Sequence, residues 1–298
     1  MASDLRLVDL FAGAGGASLG AKRAGYRLVA AAEWDADACA THRATMPDCP
    51  VYEGDVRGFE PPAADVWWAS PPCQAWSHAG KRKGSADERN GWPWVWDAYD
   101  RAAHKPHTLV CENVVGMVRH TRKPGLCGSP DTCAGCYWEH EVLVAARARF
   151  AHVDWRVLNC ADFGVPQARK RVILVCSDKP YTWPTPTHGP GEARGWASMG
   201  EALGLECVID GMRNTPQNPR QERPRGSDEP APTIGTRGNA IVTTPEGRRR
   251  LTVEEVAVLQ DMEGVDFQGK TKKSRFAQVG NAVPPRLAEV VLKEVARG

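Results

Sequence analysis

The feature that most constrains the fold lies at the start of the chain, where an apolar strand pattern runs into a glycine turn and then a helix. Residues 5–11 (LRLVDLF) form a predicted buried strand, residues 12–16 (AGAGG) a tight turn, and residues 17–24 a helix that Gly25 ends. Glycines in such a turn let the backbone approach a ligand at the helix N-terminus. The pattern therefore predicts an α/β sheet with a nucleotide-type ligand beside its first strand.

A second predicted strand, residues 27–32, ends in Glu33 and Trp34. Glu33 lies 20 residues after Gly13, where such folds place an acid on a ribose hydroxyl. This arrangement fits NAD as well, although the third glycine of the dinucleotide pattern is missing. Trp34 either stacks on an adenine ring or packs in the core. Asp55, which follows another short apolar element, is placed to accept an adenine amino hydrogen.

A reactive thiol is predicted where a further apolar strand stops. Residues 66–69 (VWWA) are rich in strand formers, and the prolines at 71–72 prevent a regular continuation into Cys73. Chemistry collects outside the carboxyl ends of strands in open α/β sheets, which favours Cys73 as a nucleophile. The alternative is that Cys73, one of ten cysteines, is a small buried hydrophobe. The long polar segment 75–91 that follows is a candidate lid.

Charged residues follow or flank two more predicted strands. The strand 108–111 ends in Glu112, whose carboxylate either faces Cys73 or is simply solvated. Arg169 and Arg171 lie two residues apart on extended chain, so their side chains point to the same side. The two arginines either hold a polar substrate or pair with surface acids.

A cysteine-rich segment predicts a structural metal site. Within 14 residues the chain carries three thiols and an imidazole, the ligand types of a closed zinc site: Cys127, Cys133, Cys136 and His140. The alternative is a loop of free thiols, with His120 as a competing imidazole.

Length and composition indicate one large domain, or a large and a small one. The 298 residues are 42% hydrophobic and 25% charged, and neither an 18-residue apolar run nor a signal peptide occurs. We therefore expect a cytoplasmic protein with reduced thiols and no membrane partner. Residues 180–250 are rich in Pro, Gly, Thr and Arg, which predicts a smaller loop-rich unit.

The net charge of +2 is unevenly distributed. Residues 213–250 hold eight arginines against four acids, and residues 268–275 hold four basic residues and no acid. Such patches indicate a polyanion over one face of the protein, or a solvated charged surface.

Taken together, these segments resemble the DNA cytosine-5 methyltransferase family, over nearly the whole chain and in the family's order. Eight segments carry the resemblance: residues 9–16, 33–34, 54–56, 72–74, 112–114, 167–171, 251–260 and 280–283. The resemblance implies a doubly wound, mostly parallel, Rossmann-like sheet that binds S-adenosylmethionine. It also implies a small target-recognition domain at 180–250, inserted in a catalytic domain formed by 1–179 and completed by 251–298.

The resemblance implies a role for each site residue. The Cys73 thiolate adds to C6 of a flipped-out cytosine, Glu112 protonates N3, and Arg169 holds O2. C5 then attacks the sulfonium methyl group, and loss of the C5 proton expels the thiolate. Gln74 and Arg171 belong to the same catalytic motifs. The cofactor pocket is expected to be lined by residues from both ends of the chain: Phe11, Gly13, Gly15, Gly16, Glu33, Trp34, Asp55, Val56, Pro72, Asn281 and Val283.

The implied partner is double-stranded DNA, bound by a monomer, and the short segment 180–250 implies a modest recognition surface. The cysteine-rich insert lies outside the family's motifs. An RNA cytosine-5 methyltransferase of the same family is one alternative, although the Cys-Phe-Thr signature of its tRNA-directed branch is absent. A nicotinamide-dependent oxidoreductase and an inactive DNA-binding relative are the others. Intact Cys73, Glu112 and Arg169 oppose the inactive relative.

Overall fold

The main sheet contains seven strands in the part of the chain that the structure, a computed structural model, describes: residues 5–72, 90–119, 133–210 and 223–298. The strands are β1 (Arg6–Leu10), β2 (Arg27–Glu33), β3 (Val51–Glu53), β4 (Val66–Ala69), β5 (Thr108–Val114), β6 (His152–Asn159) and β7 (Lys170–Ser177). Their order is β3-β2-β1-β4-β5-β7-β6. The first five pair in parallel, and β7 runs antiparallel to both β5 and β6. The predicted mostly parallel sheet is confirmed.

Helices cover both faces of this sheet, so its central strands are apolar along their whole length. The neighbours Trp67 and Trp68 on β4 are fully buried and belong to two different apolar clusters, one on each face. One face is covered by α3 (Trp92–Arg101) and by residues 134–147, and the other by α1 (Gly16–Arg23) and α9 (Pro285–Val295). This is the doubly wound arrangement that the resemblance implied.

Three further helical elements complete the first part of the chain. They are α2 (Ala36–Thr45), α4 (Ala134–Tyr137) and α5 (Leu143–Arg147), the last two joined by a π-helical turn at Trp138–Val142. Short 3₁₀ turns follow β3, β5 and β6, at Val56–Gly58, Val115–Val118 and Cys160–Phe163.

A second, antiparallel sheet of four short strands follows α6 (Met199–Leu203). Its strands are β8 (Val208–Ile209), β9 (Arg225–Gly226), β10 (Ile241–Thr244) and β11 (Gly247–Arg250), in the order β11-β10-β8-β9. Ile209 and Val242 of this sheet share one apolar cluster with Leu251, Val256 and Leu259 of the segment that follows. The second sheet is thus packed directly on the closing segment.

The closing segment contains α7 (Val253–Leu259), α8 (Lys272–Asn281) and α9. Thr252 and Glu255 cap α7 reciprocally, each side chain accepting the other's backbone N–H. α9 returns to the main sheet and packs along α1, where a Cβ on Gly20 would lie 2.4 Å from the Pro285 carbonyl oxygen. Among the residues described, no helix has the length and apolar character needed to span a membrane.

Candidate active site

Glu112 forms a buried ion pair at the carboxyl end of β5. Its carboxylate lies 2.8 Å from Nε of Arg171, and both side chains are almost inaccessible to solvent. Antiparallel pairing of β5 with β7 brings the two residues together, because Arg171 stands opposite Val114 in the register. Burial raises the pKa of Glu112 above its ordinary value, although Arg171, Arg169 and a hydrogen bond with Ser70 oppose the increase. Burial therefore shifts the protonation equilibrium of this carboxyl group toward its neutral form.

The neighbouring strand β4 ends beside this pair. Ser70 continues the pairing, with its N–H donating to the Leu10 carbonyl at 3.1 Å. Asn113, the residue after Glu112, donates through Nδ2 to the Pro71 carbonyl at 3.0 Å. The Pro-Pro segment is thus fixed to the end of β5. The predicted catalytic residues Cys73 and Gln74 lie outside the described residues, as does most of the candidate lid at 75–91.

Arg169 does not have the surroundings expected of a substrate-holding residue. Its side chain is 2% exposed, and its guanidinium donates to the carbonyl oxygens of Ile234 (3.2 Å), Gly280 (2.9 Å) and Ala282 (3.2 Å). These carbonyls come from the segment before β10 and from the end of α8. These three hydrogen bonds go to backbone carbonyls, while Arg171 faces Glu112. That Arg169 holds the substrate stays a prediction.

Two buried glutamines make further hydrogen bonds where Arg169 meets the segment before β10 and the end of α8. Gln167 donates to the side-chain oxygen of Gln260 (2.9 Å) and to the Leu259 carbonyl (3.2 Å), and it accepts from the N–H of Ile234 (3.1 Å). Gln260 donates in turn to the Ala282 carbonyl. Sequence reasoning placed both glutamines in motifs but assigned neither a contact. The only sequence signal is a glutamine within an otherwise apolar pattern, as in residues 256–260.

The glycine turn after β1 is held by the predicted ribose-binding acid. The Glu33 carboxylate accepts the backbone N–H groups of Gly13 (2.8 Å), Trp34 (2.8 Å) and Asp35 (2.9 Å). Gly13 and Gly15 adopt left-handed backbone conformations, with φ of +55° and +86°, which glycine tolerates best. The structure thus brings Glu33 and the glycine turn together, as the spacing predicted.

The two ends of the chain meet at this turn. A Cβ on Gly16 would lie 2.1 Å from the carbonyl oxygen of Val283, so only glycine fits at this position. Asn281, the last residue of α8, lies two residues before Val283 in the sequence and is exposed to solvent. The contact between Gly16 and Val283 places the first and last predicted cofactor segments side by side.

An aromatic and charged cluster lies at the predicted adenine side. Trp34 is 68% exposed, which excludes the alternative that it packs in the core. Asp55 is bound by the Arg57 guanidinium at 2.5–3.0 Å, and this hydrogen bonding lowers the pKa of Asp55. Arg57 also lies over the ring of Trp94 at 4.9 Å, and Trp94 stacks on Phe11 with ring centroids 6.5 Å apart. Sequence reasoning missed Arg57 and Trp94. Val56, also predicted, is buried next to Asp55.

A buried polar network lies beneath the glycine turn. The Ser18 hydroxyl donates to Asp9 Oδ2 at 2.6 Å, and Nε2 of His42 lies 3.0 Å from the same hydroxyl. All three side chains are inaccessible to solvent. Burial raises the pKa of Asp9 to about 7, and burial lowers the pKa of His42 to about 4.

The predicted zinc site is not assembled among the described residues. Cys133 and Cys136 are buried and pack together, but His140 is exposed. No group of three or more His, Cys, Asp or Glu residues able to hold a metal occurs in the described ranges, and Cys127 lies outside them. Among the described residues, His140 thus forms no metal-binding group with Cys133 and Cys136, and the zinc site stays a prediction.

Much of the arginine excess in residues 213–250 is neutralised by acids. Three arginines form ion pairs: Arg223 with Glu229, Arg248 with Asp210 and Arg249 with Glu255. Arg237 and Arg250 are exposed, whereas Arg213 and Arg220 lie outside the described residues. Lys270, Lys272 and Lys273 are also exposed, before and at the start of α8.

Comparison with known proteins agrees with this geometry. The sequence profile of the C-5 cytosine-specific DNA methylase family matches residues 5–203 and 191–297. The chain is 32% identical to Type II methyltransferase M.AplI of Arthrospira platensis, over 98% of this chain and 86% of that protein. It is 31% identical to Type II methyltransferase M.NaeI of Lentzea aerocolonigenes, over 98% of this chain and 74% of that protein. The S. pombe Dnmt2 methyltransferase has the same fold, with a TM-score of 0.69 at 14% identity over 98% of each chain.

Proposed function

The chain belongs to the C-5 cytosine-specific DNA methylase family and is a DNA methyltransferase, and from that premise we propose that it methylates C5 of a flipped-out cytosine within a specific DNA sequence. The observation that carries this proposal is the buried Glu112–Arg171 pair, which lies at the end of the strand whose Asn113 binds Pro71, two residues before Cys73 in the sequence. Because its relatives are named Type II methyltransferases, we propose that it serves a restriction-modification system.

In the proposed reaction the Cys73 thiolate attacks C6 of the cytosine, which converts the ring into an enamine whose C5 is nucleophilic. C5 takes the methyl group, and removal of the C5 proton lets the C5–C6 double bond form again with departure of the thiolate. Stacked bases expose neither C6 nor N3 to such groups, so the base must leave the duplex. Gln74, next to the nucleophile, is proposed to lie near the vacated position in the helix.

Glu112 is proposed to protonate N3 of the target base as the thiolate adds. This role needs a carboxyl group that can give up a proton, and burial, which raises the pKa of Glu112, favours its protonated form. The hydrogen bond with Ser70 and the ion pair with Arg171 fix the orientation of the carboxyl group. N3 of the base would then receive the proton from a carboxyl group that is held in one orientation.

The two arginines receive separate roles in this proposal. Arg171 orients Glu112 and holds O2 of the base, since its guanidinium already faces the acid. Arg169 instead ties β7 to the segment before β10 and to the end of α8, through Ile234 and Gly280. This assignment replaces the one that the motif alone implied.

The residues around the glycine turn fit S-adenosylmethionine, the methyl donor of this family. Because a side chain at Gly16 would clash with the Val283 carbonyl, the backbones of these two segments lie in direct contact. The ring of Trp34 is exposed to solvent. We propose that the cofactor is held by the turn at Gly13–Gly16 together with Glu33, Asp55, Val56, Pro72, Asn281, Val283, Phe11 and Trp34. When bound, the cofactor supplies an electrophilic methyl group on a sulfonium. For Asp55 to accept an adenine amino hydrogen, its contact with Arg57 must be shared or released.

We propose that residues 180–250 form the target-recognition domain and that 1–179 and 251–298 form the catalytic domain. Arg237 and Arg250, which are exposed, and the lysines at 270–273 are the proposed phosphate or base contacts. Membership of the family removes the oxidoreductase alternative, and the DNA-type relatives do not favour an RNA substrate. The cations that form no ion pair within the described ranges, rather than all the arginines of the segment, carry the proposed DNA interface.

Bisulfite sequencing of DNA from cells expressing the protein tests this proposal. We expect cytosines in one sequence context to be protected from conversion, less protection with Glu112→Gln, and none with Cys73→Ala. Unprotected DNA from cells that contain soluble wild-type protein would contradict the proposal, and bisulfite sequencing of RNA from the same cells would show whether RNA is the substrate.

A further inference from the structure

The cysteine-rich insert contacts the chain directly beside the nucleophile segment. Nδ2 of Asn90 donates to the Tyr137 hydroxyl at 2.9 Å, and both side chains are buried. Asn90 precedes Gly91, on which a Cβ would lie 2.5 Å from Cδ of Pro72. Pro72 is the residue before Cys73. The insert therefore supports, through Asn90 and Gly91, the residue that precedes the proposed nucleophile.

A second contact strengthens the same junction. Trp138, next to Tyr137, packs edge to face on Trp92, with ring centroids 5.4 Å apart. Trp138 also begins a π-helical turn, a feature that often occurs at functional sites. The helix that carries Tyr137 is itself anchored, because the N–H of Gly135 donates to the Arg119 carbonyl at 3.0 Å. The insert thus contacts residues 90–92 through the Tyr137–Asn90 hydrogen bond and the Trp138–Trp92 aromatic contact.

The two residues before Cys73 are held by two different segments. Asn113, adjacent to the catalytic acid, donates to the Pro71 carbonyl. Gly91 packs against Pro72 and is kept there by Asn90. Neither the family's motifs nor the proposed mechanism assigns a role to Tyr137.

We infer that Tyr137 is a positioning residue for methyl transfer, acting through Asn90 and Gly91 on the backbone at Pro72. This inference rests on the proposed function, because it supposes that Cys73 is the nucleophile. Small displacements of a reacting group reduce rates steeply, with about 100-fold lost for a misplacement of ~1 Å. Removing the Tyr137 hydroxyl should therefore lower kcat while leaving the binding of S-adenosylmethionine and DNA unchanged.

The test uses full-length protein and a double-mutant cycle on kcat. The variants are Tyr137→Phe, which keeps the ring, Asn90→Ala, and the two combined. A matched control is Tyr181→Phe, whose hydroxyl donates to the Val291 carbonyl at 3.2 Å on α9. We expect each single variant to lose about tenfold or more in kcat, with KM values for DNA and cofactor within about twofold of wild type. The double variant should be no slower than the slower single variant, because both remove the same bond.

Two results would overturn the inference: wild-type kcat in Tyr137→Phe, or losses in the two single variants that multiply in the double variant. If Tyr137→Phe does not fold, the kcat of Asn90→Ala decides the question alone, and a wild-type value refutes the inference. A wild-type enzyme that binds S-adenosylmethionine but never methylates cytosine refutes the proposed function instead. Covalent trapping on a 5-fluorocytosine duplex provides an independent readout, which should slow in Tyr137→Phe and stay unchanged in Tyr181→Phe.

Discussion

Replacing Asp9 by asparagine should change how the stability of the protein depends on pH. Asp9 is buried beneath the glycine turn, and within the described part of the chain its Oδ1 has no hydrogen-bond partner. Burial raises its pKa from the ordinary 3.8 to about 7. The folded state therefore keeps a proton on Asp9 that the unfolded chain releases above about pH 4.

The sign of the effect follows from the raised pKa. Stability from Asp9 is fully present below pH 4 and is lost as the pH rises through the folded value of about 7. The pKa difference of about 3 corresponds to ~4 kcal/mol in total, at ~1.4 kcal/mol per pKa unit. Between pH 5 and pH 8 the loss is about 3 kcal/mol. His42 works in the opposite direction, because its pKa is lowered to about 4 and its charged form is excluded on folding.

Urea unfolding of wild type and Asp9→Asn at pH 5, 6, 7 and 8 isolates the contribution of Asp9, since other titrating groups largely cancel in the difference. We expect the difference in free energy of unfolding, variant minus wild type, to increase by about 3 kcal/mol between pH 5 and pH 8. Asp100→Asn is the control. A hydrogen bond from Arg149 lowers the pKa of Asp100, so the effect of this substitution on the free energy of unfolding should not change between pH 5 and pH 8. Parallel curves for wild type and Asp9→Asn would refute the reasoning.

Four further predictions concern the active site and DNA. Glu112→Gln should lower single-turnover methylation by about 100-fold or more through loss of acid catalysis, and a near wild-type rate would remove Glu112 from the mechanism. Arg171→Ala should abolish turnover and lower the unfolding free energy by about 3–5 kcal/mol, because Glu112 loses its buried partner. Arg169→Ala should lower the stability of the protein in urea but should still form the covalent complex with a 5-fluorocytosine duplex. If this variant formed no such complex, the base-holding role would return to Arg169. Arg237→Gln should reduce the salt slope of DNA affinity by about 1, whereas the acid-paired Arg248→Gln should not, and equal slopes would place DNA elsewhere.

The sheet and the order of its functional segments could be predicted from the sequence because each depends on local patterns. Continuous apolar runs at β4 and β5 indicate strands covered on both faces, and the glycine turn at residues 12–16 indicates a ligand beside β1. The capping residues Thr252 and Glu255 fix the start of α7 within four residues of sequence. Such signals need no knowledge of distant parts of the chain.

The roles of individual charged residues could not be predicted in this way, because they depend on which distant groups the fold brings together. Arg169 and Arg171 have the same periodicity, yet one binds carbonyls from residues 234–282 and the other binds Glu112. His140 lies at metal-ligand spacing from Cys136, but its position in a helical turn leaves it exposed. The spacing of residues in a sequence shows which residue types lie close along the chain, but it does not show where their side chains point.

The central claim is that Cys73 forms a covalent bond with C6 of a cytosine in DNA. Incubation with S-adenosylmethionine and a duplex carrying 5-fluorocytosine at the methylated position tests it most directly, because fluorine replaces the proton whose loss releases the enzyme. We predict a denaturation-resistant protein–DNA complex whose attached peptide contains Cys73, and no complex with Cys73→Ala. A complex formed by Cys73→Ala, or attachment at another cysteine of the wild-type protein, would contradict the account.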